Sequence, residues 1–256
     1  MIYQNFNDLQ YFLLFLGRGR SGSSLCGGLL SCHPDMAILH EKEFIEFEYK
    51  NETELYNYLL DFMKYKRHIW KPLRNRDDWN WIDNYRILKV LGTKKQGTLV
   101  KNVRNFKNLE KLKRTLTVPI KFINIYRNPF DNIATVYRKS QVRKHKLVGR
   151  NMKSINRAIT YYFTGVKVTQ EMIDRGEDVL NIKHEDLVKD TKRTLAKICL
   201  SLNVFPYEEY LDYCKELVWD NPRKTRDRID WSESDKKRVI KLKNQYDFLR
   251  EYTWKN

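Results

Sequence analysis

Residues able to grip an oxyanion are concentrated in one short stretch, Gly17-Arg18-Gly19-Arg20-Ser21-Gly22-Ser23-Ser24. It follows the apolar run Tyr11 to Leu16 and leads into a helical pattern from Ser23 to Ser31, so a strand empties through a Gly/Ser turn into a helix N-terminus. Glycines let the main chain approach an anion closely. The N–H groups of a first helical turn, with the helix dipole behind them, point at that anion. Gly17 and Gly22 keep the G-x-x-x-x-G spacing of a triphosphate loop, but Ser23 and Ser24 stand where that motif needs Lys and then Ser or Thr. Arg18 and Arg20 supply the positive charge instead. The pattern therefore speaks against a nucleoside triphosphate and for a nucleotide whose transferable group is less charged. Taken alone, the stretch also fits a glycine turn that holds no ligand, and Arg18 also fits an exposed position on the flank of the turn.

A second stretch, from Lys121 to Tyr137, reads as a strand ending in Arg127, followed by Asn128-Pro129 and a helix that places Thr135 eight residues after the arginine. Proline is tolerated in a first helical turn, and a cation with a hydroxyl across a strand-to-helix turn can clamp one phosphate. The competing role for Arg127 is an ion pair with Asp131. A third stretch, Ile182-Lys183-His184-Glu185-Asp186-Leu187, has the same strand-to-helix form. Near the C-terminus, Asn221-Pro222-Arg223-Lys224-Thr225-Arg226-Asp227-Arg228 packs four cations before Ser232, which reads as a helix N-cap with Asp235 three residues on.

In this order the segments resemble the sulfotransferases that use 3′-phosphoadenosine 5′-phosphosulfate (PAPS), and the resemblance runs from about residue 11 to about residue 250. Arg20 to Leu25 is similar to the family's 5′-phosphosulfate loop, and Arg127-Asn128-Pro129 with Thr135 to its 3′-phosphate motif, Thr135 standing for the usual Ser. His184 to Leu187 resembles its Tyr-Glu-Asp-Leu segment, with His184 in place of Tyr. The resemblance implies PAPS as sulfuryl donor and 3′,5′-bisphosphoadenosine (PAP) as product. It implies Arg18, Gly19, Arg20, Ser21, Gly22, Ser23 and Ser24 around the 5′ group, with Arg20 stabilising the departing nucleotide. Arg127 and Thr135 would take the 3′-phosphate, and Lys224, Thr225 and Arg226 would close over the nucleotide. For the general base it points to a Glu after the His33-Pro34-Asp35 turn. Glu41 is the first choice, Glu43 the second, and the adjacent His40 remains open.

No metal is implied, since no Asp/Glu/His set has ligand spacing. The four cysteines form no C-x-x-C pair and read as free or buried thiols. A formal net charge of +17 predicts attraction to polyanions, and the run Arg138, Lys139, Arg143, Lys144, His145, Lys146 and Arg150 reads as a solvated face or an acidic-acceptor groove. An acidic glycan or peptide is therefore the favoured acceptor. Charge and 16 tyrosines would also suit a nucleic-acid binder, but no such motif is present and the glycine loop would have no role. A nucleotide kinase would need the missing Lys. No secretory signal pattern or membrane-length apolar run is present, which predicts a cytoplasmic protein; oligomeric state is left open.

These groups need elements to hold them. Short apolar runs alternating with longer periodic ones predict one α/β domain over residues 1–256, a P-loop-like fold with a central parallel β-sheet flanked by helices. Strands are expected at 11–16, 36–39, 87–91, 121–126 and 178–182, and helices at 23–31, 52–66, 152–174, 189–202, 207–217 and 233–251. A helix is also expected from about Pro129. The polar, aromatic stretch through Trp81 yields no assignment.

Overall fold

The computed structural model describes residues 6–40, 50–63, 87–94, 106–142 and 154–256. Glu41, Glu43 and the cationic run beyond residue 142 lie outside the described residues, as do the stretch through Trp81 and the last residues of the helix expected at 52–66.

Five strands form one all-parallel sheet: β1 (Tyr11–Leu16), β2 (Met36–His40), β3 (Val90–Lys94), β4 (Ile120–Tyr126) and β5 (Val179–Lys183), in the order β2-β3-β1-β4-β5. β1 sits at the centre and is apolar on both faces, as a strand covered on each side by helices must be. Leu13 and Phe15 pack with α1 (Ser23–Leu30), α7 (Thr191–Ser201) and α8 (Glu208–Glu216). Phe12, Leu14 and Leu16 face the opposite layer of α2 (Glu52–Met63), α3 (Phe106–Thr115) and the end of α5 (Ile155–Asp174). A third cluster joins α4 (Pro129–Val142) and α5 to the C-terminal helices α9 (Glu233–Lys243) and α10 (Asp247–Arg250). The short helix α6 (His184–Lys189) follows β5 directly. No helix among the described residues is long and apolar enough to cross a membrane.

Three local assignments differ from the sequence pattern. The third strand is Val90–Lys94 rather than 87–91: it runs past the end of the apolar run through Gly92, which pairs with Leu13, and a Cβ there would stand 2.4 Å from the Leu13 carbonyl. Glycine in this strand allows a close backbone approach. The helix expected over 233–251 is two helices, broken where Asn244 caps α9 and Tyr246 turns its ring onto Phe163. Helix α3 is an addition, hidden in a lysine-rich segment whose Leu109 and Leu112, continued by Leu116, supply a buried stripe.

Candidate active site

All five strands deliver their carboxyl ends to one edge of the sheet, where His40 pairs with Lys94, Leu16 with Asn124 and Tyr126 with Lys183. The chain reaches β2 and β3 on one side of β1 and β4 and β5 on the other. The crevice beside the β1 carboxyl end is thus the topological switch point where open α/β sheets hold ligands. The glycine loop after β1, the Arg127 turn after β4 and the His184 turn after β5 emerge along this edge.

The loop after β1 turns through three left-handed residues, Gly17 (φ 85°), Arg20 (φ 77°) and Gly22 (φ 102°). Arginine in this region carries strain of order 1–2 kcal/mol, which the fold tolerates here. Gly22 caps α1 with no side-chain hydrogen bond, and the first turn of α1 has no acidic residue, so its dipole faces the loop unopposed. Arg18 is not on an exposed flank. It is buried, its guanidinium lies 4.3 Å from the centre of the Tyr161 ring, and its stem crosses Gly165 of α5 so closely that a Cβ there would stand 2.3 Å from Arg18 Cγ. From the other side Lys94, the last residue of β3, brings a buried ammonium to 2.9 Å from Ser24 Oγ, with its stem against Gly27.

His184 opens α6 and closes the floor. A Cβ on Gly22 would meet its Nδ1 at 2.3 Å, so imidazole and loop are in direct contact. That nitrogen is buried without a hydrogen-bond partner, and burial, helped by the Arg127 charge, lowers the His184 pKa to about 4. His184 is therefore neutral near pH 7.

Arg127 directly follows β4, buried, with its own pKa pulled down chiefly by desolvation. Its guanidinium Nη2 donates to the Arg223 carbonyl, while its Nε is buried with no partner. The ion pair of Asp131 is made not with Arg127 but with Arg226, at 2.5 Å and with both side chains buried. Asp131 Oδ1 also accepts the main-chain N–H groups of Thr225 (2.6 Å) and Arg226 (2.8 Å). Thr135 Oγ1 and Thr225 Oγ1 stand 2.9 Å apart. The C-terminal basic segment is thus laid over the first turns of α4, bringing Arg127, Thr135 and Thr225 together. Arg226 itself is engaged: beyond Asp131 it donates to the carbonyls of Thr253, Trp254 and Asn256. Lys224 Nζ reaches the Lys255 carbonyl at 3.1 Å.

Two further residues of the sequence segments make contacts that fix the chain locally. His33 accepts the Asp35 N–H at Nδ1 and bonds the Phe205 carbonyl through Nε2 at 2.8 Å, which fixes the turn leading into β2. Ser232 caps α9 by accepting the Asp235 N–H. Lys94 and Gly165 escaped notice in the sequence. The two lysines after Gly92-Thr93 look like a solvated pair until the sheet order sets β3 beside the loop, and a helical glycine gives no sign of the side chain it accommodates. Among the described residues no group of three or more His, Cys, Asp and Glu side chains is placed to hold a metal ion.

The profile of the sulfotransferase family matches residues 13–209, which include both strand-to-helix motifs and the loop. No curated protein matches the chain. Among solved structures, the sulfotransferase domain of the Synechococcus olefin synthase is 15% identical, with 97% of this chain and 90% of that one covered and a TM-score of 0.54. The sulfotransferase domain of the curacin biosynthetic pathway is 16% identical, covering 91% of this chain and 96% of that one, with a TM-score of 0.52. A sulfotransferase from Mycobacterium avium is 12% identical, covering 93% and 77%, with a TM-score of 0.55. The likeness to these structures is one of fold, and the family profile extends it to kind: the chain belongs to the sulfotransferase family.

Proposed function

We propose that this sulfotransferase takes its sulfuryl group from PAPS and passes it to a hydroxyl or amine of an acidic glycan or peptide. What carries the reading is the pairing of two anion sites on one edge: the uncapped loop at α1, and the Arg127–Thr135–Thr225 corner across β4. A nucleotide with phosphates at both its 5′ and 3′ positions would engage both sites, whereas a triphosphate loop would need a Lys that is absent. The buried, unpartnered Nε of Arg127 is an orphan donor of the kind a phosphate oxygen satisfies.

In this reading the N–H groups of Gly22, Ser23 and Ser24 hold the 5′-phosphate, with Gly19 and Ser21 shaping the loop and Arg18 and Arg20 neutralising it. Arg127, Thr135 and Thr225 hold the 3′-phosphate, with Lys224 and Arg226 fastening the segment that covers it. Lys94, beside Ser24 Oγ, meets charge developing on the transferring SO3 and on the bridging oxygen whose bond to sulfur breaks. Glu41, with Glu43 or His40 as alternatives, takes the acceptor proton as the acceptor oxygen or nitrogen bonds to sulfur. The +17 charge supports an acidic acceptor. The free, buried state of all four cysteines supports a reducing, cytoplasmic setting.

Calorimetry with PAP, AMP and ATP tests the reading. A charge-assisted hydrogen bond contributes about 1.5–3 kcal/mol, so one such bond to the 3′-phosphate gives PAP an advantage over AMP of about ten- to hundredfold. Arg127→Ala is expected to remove most of that advantage. Equal affinity for PAP and AMP in the native chain would overturn the two-phosphate reading.

A further inference from the structure

Three parts of the site that are far apart in sequence end on the same six C-terminal residues. From the β4–α4 turn, Asn128 Nδ2 donates to the main-chain oxygens of Thr253 (3.0 Å) and Asn256 (2.5 Å). From the covering segment, Arg226 Nη1 donates to those of Thr253 (3.1 Å), Trp254 (2.6 Å) and Asn256 (2.7 Å), and Lys224 Nζ to that of Lys255 (3.1 Å). From the β5–α6 turn, Glu185 accepts the Asn128 N–H at 3.0 Å through one oxygen and the Tyr252 hydroxyl at 2.6 Å through the other, and Lys183 pairs with Glu251 at 2.7 Å. The C-terminal residues are also tied to themselves: Asn256 Oδ1 accepts from the Thr253 main chain (2.6 Å) and hydroxyl (2.9 Å), and Asn256 Nδ2 reaches the Glu251 carbonyl (3.2 Å). Trp254 anchors the turn edge-on against Phe130 and Trp231.

The residues fastened this way are neighbours of those expected to touch the 3′-phosphate. Asn128 follows Arg127, and Arg226 follows Thr225. The main-chain oxygens of residues 253–256 accept from Arg226 and Lys224 and so align positive groups that would otherwise repel their neighbours, since Arg127, Arg226 and Lys224 crowd one corner. We propose that the turn formed by residues 252–256 is a latch that positions the 3′-phosphate clamp: by holding Asn128 and Arg226 it sets the separation of Arg127 from Thr225, and with it the enzyme's preference for a 3′-phosphorylated nucleotide. The latch touches neither donor nor acceptor and acts only through the residues it fastens. It rests on the two-phosphate reading above.

The test compares PAP and AMP binding by calorimetry in three proteins: the native chain, a chain ending at Tyr252, and the milder pair Thr253→Val with Asn256→Ala, which leaves every main-chain oxygen in place but unties the turn. Keeping Tyr252 retains the bond to Glu185. Losing alignment of one charged hydrogen bond is expected to weaken PAP binding by about ten- to hundredfold in the shortened chain and by less in the double variant, with AMP binding unchanged in both. A general loss of structure would weaken the two nucleotides alike, and that result in the double variant overturns the latch. So does a PAP preference that survives in both variants. A native chain that shows no PAP preference overturns the two-phosphate reading, and the latch with it.

Discussion

Replacing Gly165 with Ala asks whether a helix packed against the loop governs its charge. In an exposed helix the change would be favourable by about 1 kcal/mol. Here the new methyl would lie 2.3 Å from Arg18 Cγ and 2.8 Å from its Cδ and Nε, separations that no packed atoms tolerate. Arg18 must leave its slot. It then loses its position over Tyr161, worth about 1–2 kcal/mol when desolvated, and re-exposes two methylenes at about 0.8 kcal/mol each. Set against the gain in helix propensity, the net cost is about 2 kcal/mol. The effect on function is larger in proportion, because a charge-assisted contact to the nucleotide goes with the side chain and PAP affinity should fall about ten- to hundredfold. Urea denaturation and PAP calorimetry on Gly165→Ala, Arg18→Ala and the double variant close the cycle. The double variant should bind PAP as Arg18→Ala does and be more stable than it by about 1 kcal/mol, since the helix gains its alanine with nothing to displace. If Gly165→Ala costs the same stability with and without Arg18, and leaves PAP affinity intact, the contact does not govern the loop.

Three further outcomes follow from the site. His184 takes up a proton near pH 6.5 in the unfolded chain but only near 4 in the folded one, so stability falls as pH drops through that window, by about 3 kcal/mol in all; denaturation at pH 7 and pH 4 should show His184→Gln losing less than the native chain, and parallel losses would contradict this. Lys94→Met should lower kcat by about a hundredfold with PAP affinity little changed, and a kcat near native would show that the ammonium beside Ser24 takes no part in transfer. Glu41→Gln should lower turnover while nucleotide binding holds; turnover lost only in Glu43→Gln would move the base two residues along.

What the sequence made readable is what lies close together within it. The glycine loop and the Arg127-to-Thr135 spacing are each contained in one strand, one turn and one helix, and turn chemistry and helical period are local properties. Arg226 shows the limit: as one of four cations in a loop it looks like a nucleotide contact, but its partner Asp131 and the carbonyls at 253–256 come from elements distant in the chain. Lys94 was hidden for a related reason, since its place beside Ser24 depends on β3 inserting between β1 and β2. The strand expected at 87–91 stops where the apolar run stops, whereas the real one continues through Gly92, where the close approach of Leu13 requires a residue without a side chain. Gly22 was readable as a turn residue, but not as the surface on which His184 rests.

The most direct measurement is transfer itself: PAPS carrying radioactive sulfur, incubated with the protein and a panel of sulfated glycans, acidic peptides and neutral alcohols, with PAP and labelled acceptor quantified together. Labelled acceptor and PAP should appear in equal amounts, most with an acidic polymer, with nothing transferred from ATP, and Arg127→Ala should raise KM for PAPS far more than it lowers kcat. Phosphoryl transfer from ATP with PAPS left intact would contradict the two-phosphate site, and a neutral alcohol as the best acceptor would contradict the acidic polymer while leaving the donor in place.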